Sequence, residues 1–286
     1  MNEVRIATRR SALAVAQAQR IAEMIRAGHP GTTVSLVEVE TAGDRDPVGP
    51  IAQLTEVGAF VRAVQAAVRD GRADLAVHSL KDLPVLGPDD LVVAAFPERA
   101  SPLDVMVGSS LNDLPSGAVV GTGSPRRSAQ LTGLRSDLQT AELRVNVETR
   151  LRKVLDGEVD AAILAEAGLA RLGRADAIEQ RLDPEQMVPA PGQGALAVEA
   201  RSGSAAAGLA ATIDDPALRP LLIAERNLLA ETGAGCRSAL GALATREFGQ
   251  IRFQAFVADD RGARHAVVHG RSPDEVVSEA RKELGL

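Results

Sequence analysis

The chain has 286 residues, of which 45% are hydrophobic and 24% charged, and its formal net charge is −6. This length and composition predict a soluble globular protein of two or three domains, and no apolar run is long enough to span a membrane. The negative charge and an aromatic content of 2%, without Trp or Tyr, argue against nucleic acid as a partner. A single cysteine excludes an internal disulfide and a cysteine-cluster metal site, and residues 1–12 are too polar for a signal peptide, so we expect a cytoplasmic protein.

Short apolar segments alternate with amphipathic helical segments along the chain, which predicts α/β layers. In chain order we predict a strand at 4–8, a helix at 12–26, a strand at 33–40, a helix at 60–69 and strands at 75–78 and 91–96. The pattern then returns with a strand at 119–121, helices at 125–131 and 148–155 and strands at 161–165 and 195–199. A small-residue linker or loop at 202–208, a helix at 219–231, paired strands at 251–257 and 265–269 and a helix at 274–284 complete the chain.

Two pairs of similar segments indicate an internal duplication, although chance similarity in an alanine-rich chain is the alternative. Residues 71–77 parallel residues 157–163, since in both a helix end and a glycine precede an aspartate that opens a strand. Residues 6–12 resemble residues 120–122 followed by 126–129. We interpret this as two similar α/β domains with a ligand cleft between them, lined by strand C-termini and helix N-termini.

Proline and glycine mark two crossings between these domains, at residues 97–101 and 188–194, with the mixture expected of hinges. The predicted first domain comprises residues 1–96 with 195–212, because the strand at 195–199 would return to it. The second comprises residues 97–194. Residues 216–286 form a small third α+β domain that carries a cysteine loop.

The segment from Val119 to Leu131 says most about function. A strand end is followed by a turn containing Thr122 and Ser124, and a proline then suits a first helical position. The turn presents backbone N–H groups and hydroxyls at the positive end of a helix, where anions bind. Arg126 and Arg127 add two cations suited to carboxylate or phosphate. The alternative is a capped surface helix with two solvated arginines.

A second cluster of polar residues, from His78 to Asp82, directly follows a buried strand. A carboxylate at Asp82 facing the cleft would hold a substrate N–H and stabilise a cation that forms beside it. A surface ion pair between Asp82 and Lys81 is the alternative. His78 is a candidate general base, although a histidine at a strand end more often satisfies a backbone group. No spacing of histidines and acids suggests a metal site.

The lone cysteine and the arginines complete the chemical inventory. Cys236 lies among glycines in an open loop beside Arg237, which favours a thiolate and a covalent attachment point over a buried thiol. Arginines recur at strand ends and helix starts, and together they fit a ligand that carries many carboxylates. They are Arg9, Arg10, Arg126, Arg127, Arg144, Arg150 and Arg171.

Five motifs occur in the order found in the porphobilinogen deaminase (hydroxymethylbilane synthase) family, and the resemblance covers nearly the whole chain. They are residues 5–11 (RIATRRS), 78–84 (HSLKDLP), 121–127 (GTGSPRR), 189–195 (PAPGQGA) and 234–236 (AGC). The resemblance implies two domains like periplasmic binding proteins and a third with the cysteine loop. It implies a monomeric transferase of tetrapyrrole (haem) biosynthesis that joins four porphobilinogen molecules head to tail and releases four ammonia molecules.

The resemblance also implies site residues. Asp82 matches the catalytic aspartate, and Cys236 matches the cysteine that holds a dipyrromethane cofactor by a thioether. The positions that match carboxylate-binding residues are Arg9, Ser11, Lys81, Thr122, Ser124, Arg126, Arg127, Arg144, Arg150 and Arg171. Ser79, Phe60 and Gln193 are expected elsewhere in the cleft.

Some residues depart from the family pattern. Val145 stands where the family usually has glycine, and it would strain the loop if that glycine needs a positive φ. The loop before the helix at 60–69 lacks a lysine, and residues 237–241 also differ. A non-catalytic or degenerate paralogue that binds a polycarboxylate in the cleft is therefore the main alternative. The effector domain of a transcription regulator is a weaker one.

Overall fold

The computed structural model describes residues 2–40, 59–233 and 239–286, without the side chains of residues 59 and 60. The strands are β1 (Glu3–Arg9), β2 (Thr33–Val39), β3 (Leu75–Ser79), β4 (Leu91–Ala95), β5 (Asp104–Val107), β6 (Val119–Gly121), β7 (Gln139–Ala141), β8 (Ala161–Ala165), β9 (Ile178–Leu182), β10 (Leu196–Arg201), β11 (Ala239–Glu247), β12 (Gln250–Asp259) and β13 (Gly262–Gly270). The helices are α1 (Ala12–Gly28), α2 (Ala59–Arg69), α3 (Pro125–Leu134), α4 (Val147–Leu155), α5 (Glu166–Arg171), α6 (Ala205–Ala211), α7 (Arg219–Glu231) and α8 (Pro273–Leu284). Short 3-10 turns lie at Leu80–Asp82 and Ala175–Ala177.

The chain divides into two compact units, and the first comprises Met1–Ala100 and Ala195–Arg219. Its five-stranded sheet has the order β2-β1-β3-β10-β4. Strand β1 runs parallel to β2 and β3, whereas β10 runs antiparallel to β3 and β4. Helix α1 buries Ile21 and Ile25 in the apolar core that this sheet shares. The strand predicted at 195–199 thus returns to this sheet as β10.

The second unit comprises Ser101–Gly194 and Pro220–Leu286, and its larger sheet repeats the plan of the first. The order is β7-β6-β8-β5-β9, with β6 parallel to β7 and β8 and with β5 antiparallel to β8 and β9. In both sheets the antiparallel fourth strand, β5 or β10, follows a predicted crossing. The shared order and strand directions confirm the fold class of two similar α/β domains.

Local hydrogen bonds repeat as well. Asp74 opens β3, its backbone N–H donates to Arg5 O, and its carboxylate accepts the Arg5 N–H at 2.8 Å. Asp160 opens β8 and makes the same two bonds with Val119, the second at 2.7 Å. The glycine three residues before each aspartate has a left-handed φ, 73° and 72°. These matches support a duplication over chance similarity.

The second pair of similar segments matches less well. The capping side chain of α1 is Ser11, which accepts the Ala14 N–H, and that of α3 is Ser124, which accepts the Arg127 N–H. The arginine pair at 9–10 therefore precedes its helix, whereas the pair at 126–127 lies in the first helical turn. The expected correspondence between these two pairs is wrong, because a cap fixes where each helix begins.

The small C-terminal sheet also belongs to the second unit, in the order β11-β12-β13. Helices α7 and α8 pack on it through an aliphatic core that includes Leu228, Val276 and Phe253. Gly241 of β11 lies directly against the crossing segment, since a Cβ there would stand 2.8 Å from Val188 O. The three predicted domains and their boundaries stay a prediction.

Several elements differ from the sequence predictions. The linker predicted at 202–208 is wrong, because Ser204 caps helix α6, whose Ala206 and Ala210 are buried. Strands β5, β7, β9 and β11 and helix α5 were not predicted. Within the described ranges, no helix is long and apolar enough to cross a membrane. No group of three or more His, Cys, Asp or Glu side chains that could hold a metal ion occurs there either.

Candidate functional site

The turn between β6 and α3 has the form that its sequence predicts. Ser124 caps the helix and its own N–H donates to Thr122 Oγ1 at 3.2 Å, while Pro125 occupies the first turn. The glycine at 121 allows close packing, because a Cβ there would overlap the Leu143 side chain, which would have to move. Thr122 is buried and Ser124 half-buried. Both hydroxyls are therefore held in place beside the helix N-terminus.

Both arginines of the turn are buried, with exposed fractions of 2% for Arg126 and 5% for Arg127. Their guanidinium groups share the carboxylate of Asp104, which is 0% exposed on β5. Arg126 Nη1 donates to Asp104 Oδ2 at 2.7 Å, and Arg127 Nη2 donates to Asp104 Oδ1 at 2.7 Å. The alternative of two solvated arginines is therefore wrong.

The charges of this cluster, defined as Asp104, Arg126 and Arg127, do not cancel. Burial alone would raise the pKa of Asp104, but the charges and hydrogen bonds of the two arginines outweigh burial and hold that pKa well below its usual range. Burial lowers the pKa of Arg126, yet arginine starts so high that it stays protonated. The cluster thus carries two positive charges and one negative charge.

One donor of the cluster lacks a partner. Arg126 Nε is buried and makes no hydrogen bond in the described part of the chain. A buried donor without a partner is costly, and so is an excess buried charge. An anionic group with oxygen acceptors, such as a carboxylate, would accept a hydrogen bond from Arg126 Nε and balance the excess positive charge.

The other predicted residues of the second unit have different partners. Gln193 is 0% exposed and donates from Nε2 to Asp104 Oδ1 at 2.9 Å, so it joins the cluster. Arg171 Nη2 donates to Gly194 O at 2.7 Å, one residue further along the chain. Arg150 Nε donates to Val145 O at 2.8 Å, and the exposed Arg144 pairs with Glu142.

Sequence reasoning missed Asp104. It is the one acid in the apolar run at 103–107, and no spacing links it to residues 126 and 127. The signal that could have found it is a charged residue inside a strand-like segment, because charged groups are rarely buried unless paired.

In the first unit, the predicted catalytic residue lies on an anchored turn. Leu80 and Leu83 are buried, and the Leu80 N–H donates to Ala195 O at 3.0 Å. Ser79 Oγ accepts a hydrogen bond from Gln17 Nε2 at 2.8 Å. Asp82 itself is exposed, and none of the described residues donates a hydrogen bond to its carboxylate.

The remaining predicted residues of this unit lie near strand and helix ends. Lys81 is half-buried next to Asp82, and Arg9 is half-buried at the end of β1. Ser11 is occupied as the cap of α1. His78 is buried with its Nε2 3.0 Å from Glu199 Oε2, so it faces a carboxylate and not a backbone group.

Two predicted residues lie outside the described part. Nothing is described for Cys236 or for the Phe60 side chain. Val145 is described, and among the described non-glycine residues only Phe248 has a positive φ. The strain considered for Val145 is therefore absent from its backbone.

Comparison with known proteins gives one consistent family. A family model described as "Porphobilinogen deaminase, dipyromethane cofactor binding domain" matches residues 4–208. The porphobilinogen deaminase of Acidothermus cellulolyticus is 45% identical over 270 residues, which is 92% of this chain and 81% of that protein. The porphobilinogen deaminase of Roseiflexus castenholzii is 47% identical over 250 residues, which is 86% of this chain and 82% of that protein.

A solved structure, the periplasmic aliphatic sulphonate binding protein SsuA from Escherichia coli, is similar over 82% of this chain and 71% of that chain. Its identity is 16% and its TM-score 0.41, which is too low to add to the fold assignment. The family model, by contrast, spans well over half of the chain, and both curated relatives match most of it. The chain therefore belongs to the porphobilinogen deaminase family.

Proposed function

We propose that this chain is a hydroxymethylbilane synthase, which condenses four porphobilinogen molecules and one water into a linear hydroxymethyl tetrapyrrole with release of four ammonia molecules. The observation that carries the proposal is the excess positive charge buried at the N-terminus of α3, in a chain that belongs to this family. A non-catalytic paralogue is not favoured, because the relatives that match most of the chain are named as the enzyme.

The residues present fit a dipyrromethane cofactor, since that group carries carboxylates and the cluster has an unpartnered donor and surplus positive charge. We propose that Cys236 holds the cofactor by a thioether. Its carboxylates would be bound by Thr122, Ser124, Arg126, Arg127, Arg144, Arg150 and Arg171. When bound, the cofactor supplies the pyrrole carbon from which the product chain grows.

On the first unit, we propose that Asp82 is the catalytic acid group. Its carboxylate is exposed on a turn that two buried leucines hold, so it is available to a substrate N–H without rearrangement. A fixed negative charge there would stabilise a pyrrole nitrogen as it becomes cationic and would accept or return a proton. Arg9, Ser11 and Lys81 would bind carboxylates of the substrate on this unit.

The attachment is tested by the intact mass of freshly purified protein. We expect a mass excess equal to two deaminated porphobilinogen units, and we expect Cys236→Ser to lack it. Because the chain has one cysteine, no other thiol could carry the adduct. An unmodified mass in active protein would overturn the proposal.

The role of Asp82 is tested by Asp82→Asn, with Asp89→Asn as the control. Both residues are exposed in the same unit, so neither change should alter thermal stability. We expect Asp82→Asn to lose about two orders of magnitude in turnover, as on loss of a key electrostatic group, and the control to lose none. Equal turnover in both variants would reject the catalytic role.

We also propose that the protein acts as a monomer in the cytoplasm. The net charge of −6 favours a dispersed protein over association. Sedimentation of the purified protein tests the first point, and fractionation of the source cells tests the second. A stable dimer or a membrane-bound fraction would contradict them.

A further inference from the structure

We propose that Asp104 is a positioning residue, which holds Arg126 and Arg127 in the orientation that receives a ligand carboxylate. The inference extends the proposed function and depends on it. Asp104 would touch neither substrate nor cofactor and would act through the two arginines.

The Asp104 carboxylate accepts four hydrogen bonds from three residues. Oδ1 accepts from Arg127 Nε at 3.0 Å, from Arg127 Nη2 at 2.7 Å and from Gln193 Nε2 at 2.9 Å. Oδ2 accepts from Arg126 Nη1 at 2.7 Å. Asp104 therefore holds one edge of the Arg127 guanidinium, through Nε and Nη2, and one nitrogen of the Arg126 guanidinium, Nη1.

Backbone carbonyl groups fix each guanidinium a second time. Arg126 Nη1 also donates to Val188 O at 2.6 Å, and Arg127 Nη1 donates to Ile163 O at 2.9 Å. These contacts leave Arg126 Nε as the unpartnered buried donor. The arrangement thus holds each guanidinium by a carboxylate and a backbone carbonyl group and still leaves hydrogen-bonding capacity for an anion.

The first unit shows that the fold does not need these charges. Leu196 pairs with Ser79 at the end of β3, as Asp104 pairs with the last residue of β8, so Leu196 and Asp104 occupy equivalent places. Leu13 and Ala14 likewise occupy the helical positions that Arg126 and Arg127 occupy after their cap. The same arrangement of strands and helices therefore carries apolar residues at these three positions in the first unit and charged residues in the second.

Stability alone does not account for the charged set. Replacing a buried ion-pair group by well-packed apolar residues is often neutral or stabilising, whereas removing one member of the group is costly. Since the apolar version already exists in the first unit, the charged version points to a ligand. Asp104 is the member that lets two like charges stay side by side before that ligand binds.

The test is chemical rescue of Asp104→Ala by formate, a carboxylate small enough for the cavity that the substitution leaves. The matched control is Asp160→Ala in the same unit, because the Asp160 carboxylate accepts the backbone N–H of Val119 and pairs with no arginine among the described residues. Two quantities are measured: the midpoint of thermal unfolding of the apo-protein, and the rate at which porphobilinogen adds the covalent adduct, by intact mass.

We expect Asp104→Ala to assemble the adduct at least about tenfold more slowly, as when a positioning partner is lost. Sodium formate should restore the rate and raise the unfolding midpoint, while sodium chloride at equal ionic strength should do neither. Asp160→Ala should show no dependence on formate. Recovery of the midpoint without recovery of assembly would overturn the inference, since Asp104 would then be structural only.

Asp104→Asn keeps the test decisive if the alanine variant does not fold. The amide preserves the shape and leaves no cavity, so we expect a folded protein with slow assembly and no response to formate. Assembly at the wild-type rate in this variant would also overturn the inference. Absence of the adduct in the wild-type protein would instead reject the proposed function.

Discussion

Glu225 accepts hydrogen bonds both from the C-terminal sheet and from the crossing at residues 188–194. Its substitution measures how much these hydrogen bonds contribute to the free energy of unfolding. Its carboxylate is 0% exposed on α7 and accepts the Gly192 N–H at 2.6 Å and the Ala244 N–H at 2.8 Å. In Glu225→Gln, one of the two oxygens becomes an NH₂ group. A donor would then face a buried backbone donor.

The cost follows from those two contacts. Losing one charge-assisted hydrogen bond and burying opposed donors costs about 2–4 kcal/mol. For a chain of this size that corresponds to a fall of roughly 5–10 °C in the unfolding midpoint of the second unit. Calorimetry measures the midpoint, and hydrogen exchange at Gly192 and Ala244 should become faster.

Glu231→Gln is the control, on the same helix. Glu231 is an exposed acid whose partner Arg281 lies 2.7 Å away, and such a surface pair contributes at most about 1 kcal/mol. If Glu225→Gln lowers the midpoint no more than this control does, the reasoning about the buried carboxylate is refuted.

Three further predictions concern packing, backbone and pH. Gly241→Ala should destabilise the second unit by about 1–3 kcal/mol, because its Cβ would meet Val188 O at 2.8 Å; unchanged denaturant unfolding would contradict this. Val145→Gly should lower stability by about 0.5–1 kcal/mol, since Val145 has no positive φ to relieve; a higher midpoint would reveal strain. Asp104 has a depressed pKa in the folded protein, so it stabilises the fold above its unfolded pKa of about 3.9, and that contribution is lost as the pH falls further. Between about pH 5 and pH 2, Asp104→Asn should therefore lose less stability than wild type, and parallel unfolding profiles would contradict this.

Much of the fold could be predicted because its central strands and amphipathic helices carry clear periodic signals. Strand β6 and helix α7 match their predicted bounds, and β10 returns to the first sheet as expected. The missed strands β7 and β9 contain polar residues and lie at the edges of their sheet. Few of their side chains are buried, so their sequences show little alternation of apolar and polar residues. Helix α6 resembled a linker because its alanines and Gly208 show no periodic pattern of apolar and polar residues. Alanine is nevertheless the best helix former.

The candidate site could be predicted only in part, and for a physical reason. Motif spacing finds the arginines at 126 and 127, since glycines, a proline and a capping serine precede them in one short segment. It does not find the partner on β5, because that contact depends on strand order in the sheet. Nor does it show that both arginines are buried, which the sequence left open beside the alternative of two solvated arginines.

The duplication shows that equivalent positions of the two units carry different residues at the proposed site. The Leu80 N–H donates to Ala195 O as the Glu166 N–H donates to Leu103 O, so the turn at Leu80–Asp82 corresponds to the start of α5. By this correspondence Gly168 stands where the first unit has the exposed Asp82. The charged cluster of the second unit, in turn, has only apolar counterparts in the first. The same arrangement of strands and helices thus occurs twice. One unit has the exposed Asp82 after a strand end, and the other has a buried surplus of positive charge.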